Sequence, residues 1–112
     1  MGVYRLYTGA DGESHIDELK PTDHPELREL QAAAGIRLQE FPAKQFLDWH
    51  AAPRRQWVII LSGELEIGLG DGTFRRFGPG DARLVEDTTG RGHTTRTLGD
   101  RSCLAMAVHL AG

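Results

Sequence analysis

The chain contains one cysteine, two lysines and no long apolar run. Cys103, being alone, cannot close an intrachain disulfide, so packing must hold the fold together. It lies in the apolar stretch Cys103 to Val108, which reads as a buried strand, and its plainest role is that of a small core residue. The apolar runs Trp57 to Leu61 and Cys103 to Val108 fall far short of the roughly 20 residues that span a bilayer. Residues Met1 to Ser14 lack the apolar core of a secretory signal, so a cytoplasmic location without a membrane partner is the expectation. Positive charge is also scarce in the way that matters for nucleic acids: the net charge is −3. The pairs Arg54-Arg55 and Arg75-Arg76 are too short to form a phosphate-binding stripe, which argues against a nucleic-acid partner.

What the chain does have is glycine, 14 of them in 112 residues, set at turn positions between short β-type runs. A chain of this length builds one domain with a modest core, so an active site must lie inside that core or at a subunit contact. Two parts are visible. Residues 1–35 read as an N-terminal arm: a strand at Val3 to Tyr7, a turn at Gly9 to Gly12, an extended stretch from His15 to Leu19, and a short helix. Asp23 as N-cap, Pro25 in the first turn, Glu26 as capping-box partner and Gly35 as stop predict that helix, with Leu27, Leu30 and Ala34 on the face that packs on the rest. From residue 36 to 112 the evenly spaced turns at Ser62-Gly63, Gly70 to Gly72, Gly78 to Asp81 and Gly99-Asp100 predict an antiparallel barrel or sandwich. Val58 to Leu61 is apolar on both alternating faces, so its outer face should be covered by the arm or by a second subunit.

The segment from Asp48 to His93 resembles the two-motif core of a cupin. The first cupin motif, G-x5-H-x-H-x(3,4)-E-x6-G, is matched by His50 and Gly63, whereas Ala52 stands at its second histidine and Gln56 at its glutamate. The second motif, G-x5-P-x-G-x2-H-x3-N, is matched by Gly80, Gly90 and His93, with two extra residues after Gly80, Thr88 at the proline and Thr97 at the asparagine. The resemblance implies an all-β double-stranded β-helix, the cupin jelly-roll barrel, preceded by a short N-terminal strand and helix. It also implies a homodimer that packs sheet on sheet or exchanges N-terminal strands.

Strand alternation puts Asp48, His50 and Ala52 on one face, and Gln56, Val58 and Ile60 on one face of the next strand. In a cupin those faces look into the barrel, where His93 would join them. His50, Gln56 and His93 thus form the candidate metal set, and His50 and His93 the candidate catalytic pair. Divalent iron, nickel, copper or zinc is the cofactor such imidazoles suit, although the set carries no negative charge; no organic cofactor is implied. Asp48, Glu86 or Asp87 could supply a carboxylate, and Asp48 could instead orient the His50 ring. Arg54 is the candidate partner for a substrate anion, against the simpler reading of a solvated arginine at a strand entry. Trp49 and Trp57 should point away from the interior, and His15, His24 and His109 lie outside both motifs.

The leading expectation is a small-molecule-binding cupin with metal-assisted oxygenase or isomerase activity in the barrel. Two rivals stand beside it. One is a metal-independent isomerase or cyclase using histidine acid–base chemistry; the other is a non-catalytic sensor or binding module.

Overall fold

The computed structural model describes residues 1–111 and contains ten strands in two sheets. In chain order they are β1 (Val3–Thr8), β2 (Ser14–Leu19), β3 (Ala33–Phe41), β4 (Phe46–His50), β5 (Gln56–Ser62), β6 (Glu64–Gly68), β7 (Phe74–Phe77), β8 (Ala82–Val85), β9 (His93–Leu98) and β10 (Cys103–Leu110). One sheet has the order β2-β1-β8-β5-β10-β3 and the other β4-β9-β6-β7. Neighbours pair antiparallel except β1 and β8, which run parallel. The expected all-β barrel is therefore present.

Alternation explains how the two sheets close on one another. On β5 the side chains of Gln56, Val58 and Ile60 are buried, while Trp57 and Ile59 are half-buried on the opposite face and Leu61 is exposed. Leu6, Phe41, Val85 and Ala105 from the same sheet and Leu65, Ile67 and Phe77 from the facing one complete the core. The buried residues in the body of β10 are small, Cys103, Ala105 and Ala107, with Leu110 buried at its end, so most of this strand adds little bulk to the interior. Gly63 lets β5 turn directly into β6: its φ is +78°, and a Cβ there would run into the backbone of Ser102 and Cys103.

The predicted helix does not form. Only one 3-10 turn, Pro25–Arg28, appears, with His24 rather than Asp23 at its N-cap and no side-chain cap bond. Residues 33 to 41 instead pair with β10, and Gly35 lies opposite His109 inside that ladder. A long strand partner satisfies the backbone of Ala33 to Phe41 where a helix would have left Leu30 seeking a face; Leu30 is fully exposed. The arm is also not a separate layer, because β1 extends the six-stranded sheet through its parallel pairing with β8. The outer face of β5 is covered in part by the arm, where the Trp57 Nε1–H donates to Gln31 Oε1 at 2.9 Å. Farther along that face Ile36 and Leu38 stay 67% and 63% exposed. Among the described residues no helix is long and apolar enough to cross a membrane.

Candidate functional site

Between the two sheets lies a cavity of about 220 Å³, and His50, Ala52, Gln56, Val58, Arg83 and His93 are among the residues that line it. Three strand ends position its polar groups. His50 closes β4, Gln56 opens β5, and His93 opens β9 directly opposite His50 in the β4–β9 register. The imidazole centroids are 4.6 Å apart with a 60° angle between the rings. Gly92 makes this approach feasible: its φ is +80° and a Cβ would run into the His50 carbonyl. Any other residue there would push the two histidines apart.

Behind His93 sits Asp87, which is fully buried. His93 Nδ1 lies 2.5 Å from Asp87 Oδ2, and Ser14 Oγ–H donates to the same oxygen at 2.7 Å. The Asp87 main-chain carbonyl accepts from the Ala52 N–H at 2.9 Å, tying the loop before β9 to the loop after β4. A carboxylate only accepts, so Nδ1 of His93 carries the proton and Nε2 keeps its lone pair. His50 is fixed the same way by a weaker partner, the main-chain carbonyl of Asp48, 2.7 Å from its Nδ1. Burial pushes the His93 imidazole below the ordinary histidine range; the Asp87 carboxylate pulls it up but does not overcome the loss of water. His93 is thus a neutral base at physiological pH.

No protein-family model and no curated protein matches the chain. Solved structures do. The polyketide cyclase RemF from Streptomyces resistomycificus superposes with a TM-score of 0.58 at 19% identity, covering 95% of this chain and 70% of the other. The cupin domain of Cnp3 from Schizosaccharomyces pombe gives 0.57 at 13% identity, over 88% and 73%. A cupin 2 conserved barrel domain protein from Salinispora arenicola gives 0.52 at 18%, over 86% and 90%. The chain folds as a cupin. At these identities the likeness carries the fold alone, and the chemistry must come from the cavity of this chain.

Two residues expected in the cupin pocket lie elsewhere. Asp48 is exposed and its carboxylate accepts the Trp49 N–H at 2.8 Å. A register shift between Leu47 and His50 breaks the alternation, so Leu47 and His50 both line the cavity although they are three residues apart, and Asp48 is turned out. Arg54 is exposed and lies in a surface groove with Arg5, Tyr7 and Thr89, because Pro53 to Arg55 precede the strand rather than belonging to it. Glu86 also faces outward, bridging Arg5 at 2.6 Å and Arg55 at 2.5 Å. Burial alone would raise its pKa, but the two guanidiniums hold it below the ordinary range. Trp49 and Trp57 point away from the cavity as anticipated; Trp49 lies under Arg91, whose Cζ is 4.1 Å from its ring centroid.

Sequence reasoning missed Arg83 and Ser14, and it weighed Asp87 only as a ligand. Arg83 is 4% exposed and opposes Val58 on β5, on the face of Gln56 and Val85. Its neighbours Leu84 and Val85 are both apolar, so alternation alone did not say which way β8 faces. The one signal was an arginine in the middle of an apolar strand.

The donors fit a divalent metal poorly. His50 and His93 each leave an imidazole nitrogen uncommitted, and Gln56 Oε1 is buried without a hydrogen-bond partner. All three are neutral, Asp87 is engaged behind His93, and the Arg83 guanidinium shares the cavity. Three neutral donors beside a fixed cation cannot offset the charge of a dication as the full cupin set would. Among the described residues no three His, Cys, Asp or Glu side chains come together in an arrangement that could hold a metal ion.

Proposed function

We propose that this cupin binds a small organic molecule in the barrel and catalyses a metal-independent proton transfer on it, of the kind that drives isomerisation, epimerisation, dehydration or cyclisation. The observation that carries this reading is the buried Asp87–His93 pair at 2.5 Å. Asp87 fixes the ring tautomer and stabilises the imidazolium formed when Nε2 accepts a proton. His93 is the base, and it returns the same proton to a neighbouring atom of the substrate. His50, with its own Nε2 free to accept, receives a hydrogen bond from a substrate hydroxyl and orients it. The cavity volume sits below the roughly 300 Å³ at which drug-sized ligand sites begin, which suits a compact substrate. A polyketide cyclase among the structural neighbours lends cyclisation a precedent on this fold.

Hydrogen–deuterium exchange at carbon tests the reading without knowledge of the natural substrate. Dihydroxyacetone, acetylacetone and pyruvate are incubated with protein in D₂O and followed by proton NMR. Exchange on at least one compound that survives a chelator and disappears in His93→Gln is the expected result. Exchange abolished by the chelator would assign the chemistry to a metal. No exchange above the His93→Gln level would leave a binding module.

A further inference from the structure

Arg83 is a buried, charged cavity side chain whose placement the chemistry above does not use. It is 4% exposed, and its Nε and Nη1, which carry three of its five N–H donors, face no acceptor within the protein. Burial lowers its pKa to about 10, so it remains a cation at neutral pH. Its contact with Phe77, Cζ 5.0 Å from the ring centroid, places the guanidinium against an apolar face and satisfies none of those donors. Asp87 acts on it through space without a direct hydrogen bond: Asp87 Oδ2 is shared by His93 and Ser14, and Asp87 Oδ1, also buried, has no hydrogen-bond partner within the protein. A purely structural arginine buried in a barrel would be expected to close a fork with a carboxylate or with main-chain carbonyls, because an unpaired buried charge is strongly unfavourable. Gln56 Oε1, two residues along β5 from the residue opposite Arg83, is likewise buried and without a partner. Arg83 and Gln56 are both among the residues that line the cavity with His50 and His93.

We infer that Arg83 anchors the carboxylate of a small organic acid inside the barrel, and so selects acids over their neutral analogues as the molecules presented to His93. A planar guanidinium with unused donors matches a carboxylate in shape and charge, and the apolar surroundings strengthen the pairing. The inference deepens the proton-transfer reading and rests on the same cavity, but it concerns recognition and can stand or fall separately.

The test compares lactate, pyruvate and benzoate with lactamide, pyruvamide and benzamide, measured as dissociation constants by NMR titration. Wild-type protein should bind at least one acid about tenfold or more tighter than its amide, the size expected of a hydrogen bond to a charged group. Arg83→Met should abolish that preference while leaving amide affinity unchanged, and Arg83→Lys should restore only part of it. Equal affinity of acids and amides for wild type, a preference that persists in Arg83→Met, or no binding by any of the six would each overturn the inference. Should Arg83→Met fail to fold, the ¹⁵N-resolved Nε–H signal of wild-type Arg83 decides: it should shift with acids and not with amides, and an unmoved signal refutes the assignment. His93→Gln separates the two readings. Acid preference retained in that variant with proton exchange lost supports both, whereas acid preference alongside exchange indifferent to His93 would leave Arg83 as the anchor and remove the proposed base.

Discussion

His50 and His93 stand opposite one another on β4 and β9, with ring centroids 4.6 Å apart, yet the structure treats them differently. His93 is 5% exposed and backed by a fully buried carboxylate that Ser14 helps to hold. His50 is only half-buried and is oriented by a neutral main-chain carbonyl. A carboxylate behind an imidazole stabilises the protonated ring; a peptide carbonyl orients it with much less charge stabilisation. Under the proposed proton transfer, two identical side chains in one cavity would divide into a base and an orienting contact. The difference is made by what lies behind each ring, not by the ring.

The comparison breaks most sharply through His93→Gln. A positioned base contributes about 10²–10⁴-fold, so exchange measured in D₂O should fall by that factor, while His50→Gln should cost roughly tenfold or less. Equal losses in the two variants would erase the distinction. Asp87→Ala attacks the same asymmetry from behind. It strands the His93 Nδ1–H and the Ser14 hydroxyl and removes the negative charge that acts on Arg83. Removing one partner of a buried charged network costs about 3–5 kcal/mol, which urea unfolding would register as a large drop in midpoint. Asp48→Ala should change stability by less than about 0.5 kcal/mol, since its carboxylate is exposed and only its main chain holds His50.

A third perturbation tests why this cavity falls short as a metal centre. Ala52 is buried and lines the cavity beside His50, and Gln56 faces the same space. Ala52→His with Gln56→Glu supplies the missing imidazole and a negative charge, and should raise the zinc retained through dialysis above the wild-type level, to about one ion per chain. Metal analysis that shows no gain in the double variant would mean that Arg83, or the distance between the ligands, and not the ligand types, sets the limit.

The barrel was legible in the sequence because its turns and alternating runs are local signals, and the glycine-marked motifs named His50, Gln56 and His93 as residues that meet. What was not legible depended on geometry that alternation cannot supply. A single register shift on β4 turned Asp48 outward. Arg83 was hidden because Leu84 and Val85 gave β8 no preferred face, and Ser14 reaches Asp87 across 73 positions of sequence. The capping pattern at Asp23 to Glu26 was sound as local chemistry, but the partner strand β10 claimed residues 33 to 41.

A subtler effect, and one that separates His93 from the titrating carboxylates, is in the pH dependence of stability. Burial depresses the His93 pKa in the folded protein, so below the ordinary histidine value of about 6.5 the unfolded chain takes up a proton that the folded chain resists. Stability is then complete above that pH and declines as the pH falls toward the depressed folded value. Asp11, Asp71 and Glu86, whose folded pKa values are also lowered, act in the same direction but only in the more acidic carboxylate range. Between those windows the slope belongs to the histidines, and His109, lowered by desolvation and by Arg54 and Arg37, is the other contributor. Urea midpoints measured from pH 7 to about pH 5 should therefore fall in wild type, flatten in His93→Gln, and change little in His109→Gln, because a group near the surface is screened by water. A decline that becomes steeper in His93→Gln would mean that Asp87 holds the ring charged in the folded state, and the role of His93 would turn from base to acid; a slope left intact would mean that the fold does not shift the ring at all.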